Sequence, residues 1–133
     1  MSTCPFCLIE PARLVASSEA AIAIRDAYPI TEGHTLVLPR IHVKSIFELS
    51  ALQQGALWAL VAEVRQSLAR EMSVGDFNIG VNDGPAAGQT VEHAHVHVIP
   101  RREGDVPDPR GGVRQVIPAK ARYWEKEQLG PIR

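Results

Sequence analysis

One stretch constrains this chain more than any other: Val91–Arg101, which reads V-E-H-A-H-V-H-V-I-P-R. Histidine and apolar residues alternate there with a period of two, the repeat of a strand whose successive side chains point to opposite faces. Built that way, His93, His95 and His97 line one face at intervals of roughly 6.5–7 Å, and Ala94, Val96 and Val98 fill the other. A helix would turn His95 away from its two neighbours. The spacing therefore predicts a strand over Val91–Ile99, in a sheet with an apolar side to cover.

Three of the chain's five histidines fall within these five positions. Imidazole is the side chain best suited to proton and metal work near neutral pH. The row has three readings from its residues alone. It can be the polar face of a half-buried strand, with histidine in place of threonine. It can be a metal cluster, since His-x-His is a common ligand spacing. Or one neutral imidazole attacks phosphorus while its neighbours bind and protonate. A single ion held by all three rings fits poorly, because strand spacing sets the outer Cα atoms ~13 Å apart.

Length and charge narrow the field. At 133 residues the chain suits one domain, 1–133, with one core. The 45% apolar and 22% charged residues are those of an ordinary soluble protein. A net charge of -1 argues against a nucleic-acid partner, which calls for a pronounced basic patch. Small phosphorylated ligands need only a few local donors and stay open. No run approaches the ~18–20 apolar residues of a bilayer span, and the N-terminus lacks a secretion pattern. A cytoplasmic protein without a membrane partner is expected.

The two cysteines, Cys4 and Cys7, stand in C-P-F-C. That spacing suits half of a zinc site, a redox pair or two free thiols. A thioredoxin-like motif needs a strand before it, which three residues cannot supply.

Along the chain, residues 1–12 read as a turn closed by Pro11. Arg13–Ser17 and Ala21–Arg25 form a hairpin in outline, and His34–Leu38 a third strand stopped by Pro39. Ser45–Leu49 suits a short helical turn. The main helix runs from Ala51 to about Glu71, with Ser50 and Gln53 as a capping box. Its core stripe is Leu52, Ala56, Leu60, Val64 and Leu68, widened by Leu57 and Val61. Trp58 is expected to pack rather than stack on a base. Asp76–Val81 is a fourth strand and Val91–Ile99 the fifth. Residues 103–133, rich in Gly and Pro, suggest an extended tail lying over the domain or a partner subunit, anchored by Tyr123 and Trp124. Arg40, Arg101 and Arg102 form a solvated rim able to attract an anion.

Between the last two strands lies N-D-G-P-A-A-G-Q-T, Asn82–Thr90. Its glycines are one residue too close for a phosphate-cradling P-loop, and glutamine stands where that motif has lysine. The physical logic still carries. Gly84 and Gly88 let backbone N–H groups approach an anion, and Gln89 and Thr90 add neutral donors.

These residues resemble a known family. G-Q-T-V-E-H-A-H-V-H-V-I-P-R is similar to the signature of the histidine triad (HIT) family, and E-G-H-T-L-V-L-P-R-I-H, residues 32–42, to its second block. The resemblance covers about residues 4–103. It implies an α+β fold, a five-stranded antiparallel sheet with one main helix, dimerising into a ten-stranded sheet. It implies a nucleotide hydrolase that cleaves at the α-phosphate through a nucleotidyl-histidine on His95. His97 and His34 would contact the phosphate and assist the leaving group. Asp26 falls where the family holds ribose hydroxyls. Asn82, Gly88, Gln89 and Thr90 fall at its phosphate-binding loop.

Cys4, Cys7, His42 and His93 look like the ligand set of zinc-binding members, a structural site not needed for the chemistry. Transferase and phosphorylase branches usually carry glutamine where His97 stands, so a hydrolase is favoured. The expected substrates are purine nucleotides, as dinucleoside polyphosphates or nucleoside phosphoramidates. A non-catalytic nucleotide sensor and a nucleotidyl transferase or phosphorylase are the alternatives.

Overall fold

Strand β2, Ala21–Arg25, alternates small and large apolar residues, and the sheet is organised on that alternation. It pairs antiparallel with β3, Thr35–Pro39, and both are buried along almost their whole length. Strands covered on two sides need apolar residues at successive positions. One side carries Ala21, Ala23 and Val37; the other carries Ile22, Ile24, Leu36 and Leu38. Strand β1, Leu14–Ser17, adds outside β2. Strand β5, Val96–Arg101, lies against β3, and β4, Asp76–Gly80, closes the far edge. The order is β1-β2-β3-β5-β4, antiparallel throughout. With one long helix this is the expected α+β fold.

Helix α1, Ala51–Met72, covers the side with the alanines. Leu57, Leu60, Val61, Val64 and Leu68 share one core with Ala21, Ala23, Val37, Ala94, Val96 and Val98. The predicted capping box forms: the Ser50 hydroxyl accepts from the Gln53 N–H at 3.1 Å, and the Gln53 side-chain Oε1 accepts from the Ser50 N–H at 2.8 Å. Such a cap contributes about 1 kcal/mol. A second box, Ser45 with Glu48, caps the short turn Ile46–Glu48 just before it.

Several expectations need correction. Leu52 is not core; it is 86% exposed. Successive helix residues turn by about 100°, so a stripe of strict fourth residues drifts, and Leu52 ends about 135° from the buried face. Trp58, 41% exposed, sits about 100° from the same direction and does not pack inside. The fifth strand starts at Val96, not Val91. The last β3 pair is Val37 with Val96 and the last β4 pair Gly80 with His97; before them the Ala94 N–H is taken by the Val43 carbonyl instead of a sheet strand.

The chain divides into two compact units, Met1–Arg101 and Arg102–Arg133, of which the computed structural model describes residues 3–125. The sheet and helix belong to the first. The second is not an extended tail in its described part. It holds two short 3-10 turns, Gly112–Val116 and Pro118–Lys120. Within it Arg110 lies over the Trp124 ring at 4.3 Å and Arg114 over Tyr123 at 5.0 Å. The expected tail beyond Glu125 lies outside the described residues. No helix among the described residues is long and apolar enough to cross a membrane.

Gly33 delivers the chain into β3 with φ +90, a conformation that glycine alone adopts readily. A Cβ there would also run into the Met72 side chain and approach Leu68 Cδ2 at 3.2 Å. Gly33→Ala is expected to lower unfolding free energy by about 1–3 kcal/mol, read as an earlier midpoint in chemical denaturation.

Candidate active site and metal centre

The register of β3 with β5 puts His97 opposite Leu36, on the side of the sheet away from α1. Ala94, Val96 and Val98 go to the helix core, so the alternation read from sequence holds although His93 and His95 precede the ladder. The open side carries the rings.

Hydrogen bonds assign a tautomer to each ring. His95 Nδ1 donates to the carbonyl of His93 at 2.8 Å, which leaves a lone pair on Nε2. His34 Nδ1 accepts from the Ile30 N–H at 3.2 Å, so its proton sits on Nε2 and is donated to His97 Nδ1 at 2.9 Å. His97 then keeps its own proton on Nε2. The His95 and His97 ring centroids are 5.1 Å apart. One ring thus presents a lone pair, and its neighbour a proton.

Burial pushes the proton affinity of His34 and His97 down. His97 is lowered from 6.5 to about 4, first by desolvation and then by the nearby charges of His95 and His34, with Asp26 opposing. His34 is lowered by desolvation, again against Asp26. Asp26 Oδ2 stands 3.4 Å from His34 Nε2, while its Oδ1 accepts from the Tyr28 N–H. Asp26, His34 and His97 bring ligand atoms within 4.8 Å of one another. Because the Ile30 N–H occupies His34 Nδ1, His34 Nε2 carries hydrogen and offers no lone pair to an ion. This trio is a hydrogen-bond chain.

The loop before the histidines holds a short turn, Pro85–Ala87, between Gly84 and Gly88, both at positive φ. Gln89 braces it: its Nε2 donates to the carbonyls of Lys44 and Val91, and its Oε1 accepts from the Gly84 N–H at 2.9 Å. Both amide protons are committed to backbone. Asn82 lies beside Gly88, with its Cγ 4.0 Å from where a Gly88 Cβ would stand.

A second cluster gathers Cys4, Cys7, His42 and His93, whose ligand atoms lie within 4.8 Å of one another. Cys4 Sγ is 3.5 Å and Cys7 Sγ 3.7 Å from His93 Nδ1; Cys7 Sγ is 3.1 Å from His42 Nδ1. A tetrahedral zinc ion with ordinary bond lengths places S and N ligands about 3.5 Å apart. His93 Nε2 donates to the Pro39 carbonyl at 2.8 Å, which turns the lone pair of Nδ1 toward the sulfurs. The donor set fits the ion. His93 is fully buried, and desolvation holds its proton affinity down, which favours the neutral form that a ligand needs.

Sequence reasoning missed Phe6. Its ring meets His95 edge-on at 5.1 Å and His93 at 6.0 Å, and it packs on the cluster of Ile22, Ile24, Leu36 and Leu38. The signal was present as an aromatic lodged between two candidate metal ligands. Of the three arginines, Arg40 bonds the Ser18 carbonyl and Arg101 bonds Asn78 Oδ1. Arg102 falls in the second unit.

The model of the HIT domain matches residues 9–104. The chain belongs to the HIT family. It is 42% identical over 88 residues to the bis(5'-nucleosyl)-tetraphosphatase (asymmetrical) of Schizosaccharomyces pombe, covering 66% of this chain and 48% of that protein. It is 31% identical over 106 residues to the adenylylsulfatase HINT3 of Arabidopsis thaliana, covering 77% and 54%. The chain thus spans about half the length of these two relatives. Among solved structures, a zinc-bound histidine triad family protein of Mycobacterium smegmatis is 36% identical with a TM-score of 0.67, covering 92% of this chain and 96% of that one.

The ring chain has a consequence for acid stability. Between pH 6.5 and about 4 the unfolded chain holds a proton at His97 that the folded protein does not. Stability therefore falls as pH drops through that window and levels below it. His97→Gln is expected to flatten this slope, as measured by denaturation midpoints across the pH range.

Proposed function

We propose that this HIT protein is a nucleotide hydrolase in which His95 Nε2 attacks the α-phosphorus of a purine nucleotide. The observation that carries the reading is the His95 Nδ1–His93 carbonyl bond, which fixes the tautomer that a nitrogen nucleophile requires. The new N–P bond forms as the bond to the leaving group breaks. Water then attacks phosphorus, releases the nucleoside monophosphate and restores the imidazole.

His97 supplies the proton on its Nε2, oriented through His34 from the Ile30 amide. In the free protein burial keeps this ring neutral. An anionic phosphate seated against it accepts from the Nε2–H, so the ring steadies charge on the leaving oxygen as a hydrogen-bond donor while its Nδ1 keeps the bond from His34. Asp26 serves the ribose hydroxyls and faces His34. Asn82 and Thr90 serve the phosphate oxygens, and Gly88, whose N–H donates to the Pro85 carbonyl, joins Gln89 in shaping the loop. An imidazole at His97, in place of glutamine, supports hydrolysis over transfer. The names of the two curated relatives support phosphoanhydride or mixed-anhydride substrates.

Zinc would be held by Cys4, Cys7, His42 and His93, with the zinc-bound relative in support. It would cross-link the N-terminal turn to the segments on either side of the sheet strands and supply no reacting group. β4 leaves one edge of the sheet unpaired, which supports a homodimer with a continuous ten-stranded sheet. Light scattering is expected to report twice the 14.5 kDa chain mass.

His95→Asn is expected to cut turnover of diadenosine polyphosphates and adenosine phosphoramidate by roughly 10³-fold or more with the fold unchanged. Rapid quench with labelled nucleotide is expected to place the label on His95. A variant that retains wild-type turnover, or a label on another side chain, removes the mechanism. Cys4→Ser is expected to lose bound zinc by elemental analysis and to unfold earlier.

A further inference from the structure

The His95 ring is held in plane by a single hydrogen bond, and rotation about the bond joining ring to Cβ is intrinsically broad. A nucleophile must keep its lone pair within a narrow cone. Something else has to fix the tilt. On one flank stands the His97 ring, on another the edge-on ring of Phe6 at 5.1 Å and 80° between planes.

Phe6 belongs to the cysteine turn. Its N–H donates to Cys4 Sγ at 3.4 Å, and the Cys7 N–H donates to the Cys4 carbonyl at 3.3 Å. The sulfur that takes the Phe6 amide is one of the three ligand atoms that converge with His93 Nδ1. That His93 is the residue whose carbonyl fixes the His95 tautomer. The cysteine turn therefore reaches the nucleophile twice, through the backbone of His93 and through the ring of Phe6.

We propose that Phe6 is a positioning residue for His95, and that its hold depends on metal bound at Cys4, Cys7, His42 and His93. Metal occupancy then regulates the hydrolase proposed above, without the ion touching substrate. The proposal rests on that reading for its activity arm only; its spectroscopic arm needs no substrate. With the thiolates ligated, the Cys4–Phe6–Cys7 turn is closed and the ring is pressed against His95. With the metal removed, the turn keeps the apolar contacts of Phe6 and Ile9 and the weak sulfur contacts to His42 and His93, and loses the bonds that tie both thiolates to one ion.

The test uses full-length protein labelled with ¹⁵N-histidine, loaded with zinc or stripped by chelator, as wild type, Phe6→Ala and Phe6→Tyr. Long-range ¹H–¹⁵N spectra report the tautomer of each ring. Zinc-loaded wild type and Phe6→Tyr are expected to show His95 as a single Nδ1–H form. Phe6→Ala, and chelated wild type, are expected to move its two nitrogens toward an averaged pair of shifts. Chelation of Phe6→Ala is expected to add little further change, since both act through one contact.

In the activity arm, Phe6→Ala is expected to lower kcat by between roughly 10- and 100-fold with KM changed less than twofold. A His95 spectrum unmoved by Phe6→Ala in zinc-loaded, folded protein overturns the proposal. So does full additivity of Phe6→Ala and chelation, or an effect confined to KM, which would make Phe6 a substrate contact. Absence of any turnover in wild type with the expected spectra overturns the hydrolase reading and leaves the positioning role standing.

Discussion

Either ring nitrogen of a neutral His95 can carry the proton, and the His93 carbonyl at 2.8 Å makes the choice. Much of the architecture acts to keep that carbonyl where it is. The His93 side chain is fully buried and bonded to Pro39 on one nitrogen, with sulfur facing the other. The next residue, Ala94, donates its N–H to the Val43 carbonyl at 2.7 Å and packs in the helix core. A peptide clamped on both sides cannot rotate its oxygen away from the ring that depends on it.

The sheet supplies the clamp because it is apolar on both faces. The helix covers one side through small residues, and the larger Ile22, Ile24, Leu36 and Leu38 form a floor on the other. On that floor the rings can be desolvated without being sealed. Desolvation lowers the affinity of His34 and His97 for protons, and neutral rings can pass a directed chain of hydrogen bonds where cationic ones would repel.

Much of this was legible in the residues. A period of two placed the histidines and their apolar alternates on opposite faces, and Ser50 with Gln53 marked the helix start. Cys4, Cys7, His42 and His93 came together as the resemblance implied. What escaped had physical reasons. Leu52 looked like core because a fourth-residue stripe was followed past its drift. The strand through His93 looked continuous because side-chain alternation survives where pairing partners have ended. Gln89 looked like a free donor, but its amide had two carbonyl partners, one of them, Lys44, 45 residues away in sequence. Phe6 was invisible as a neighbour of His95 for the same cause: no local pattern encodes a contact across 89 positions.

The helix lies on the far side of the sheet from the His93, His95 and His97 row. Most of the apolar burial, and so most of the resistance to unfolding, resides between helix and sheet, on the side opposite the histidine row. Sequence drift along the outer surface of α1, at positions such as Leu52 and Trp58, can proceed without disturbing the chemistry beneath the opposite face. A chain built this way can acquire new neighbours on its back while its front stays unchanged.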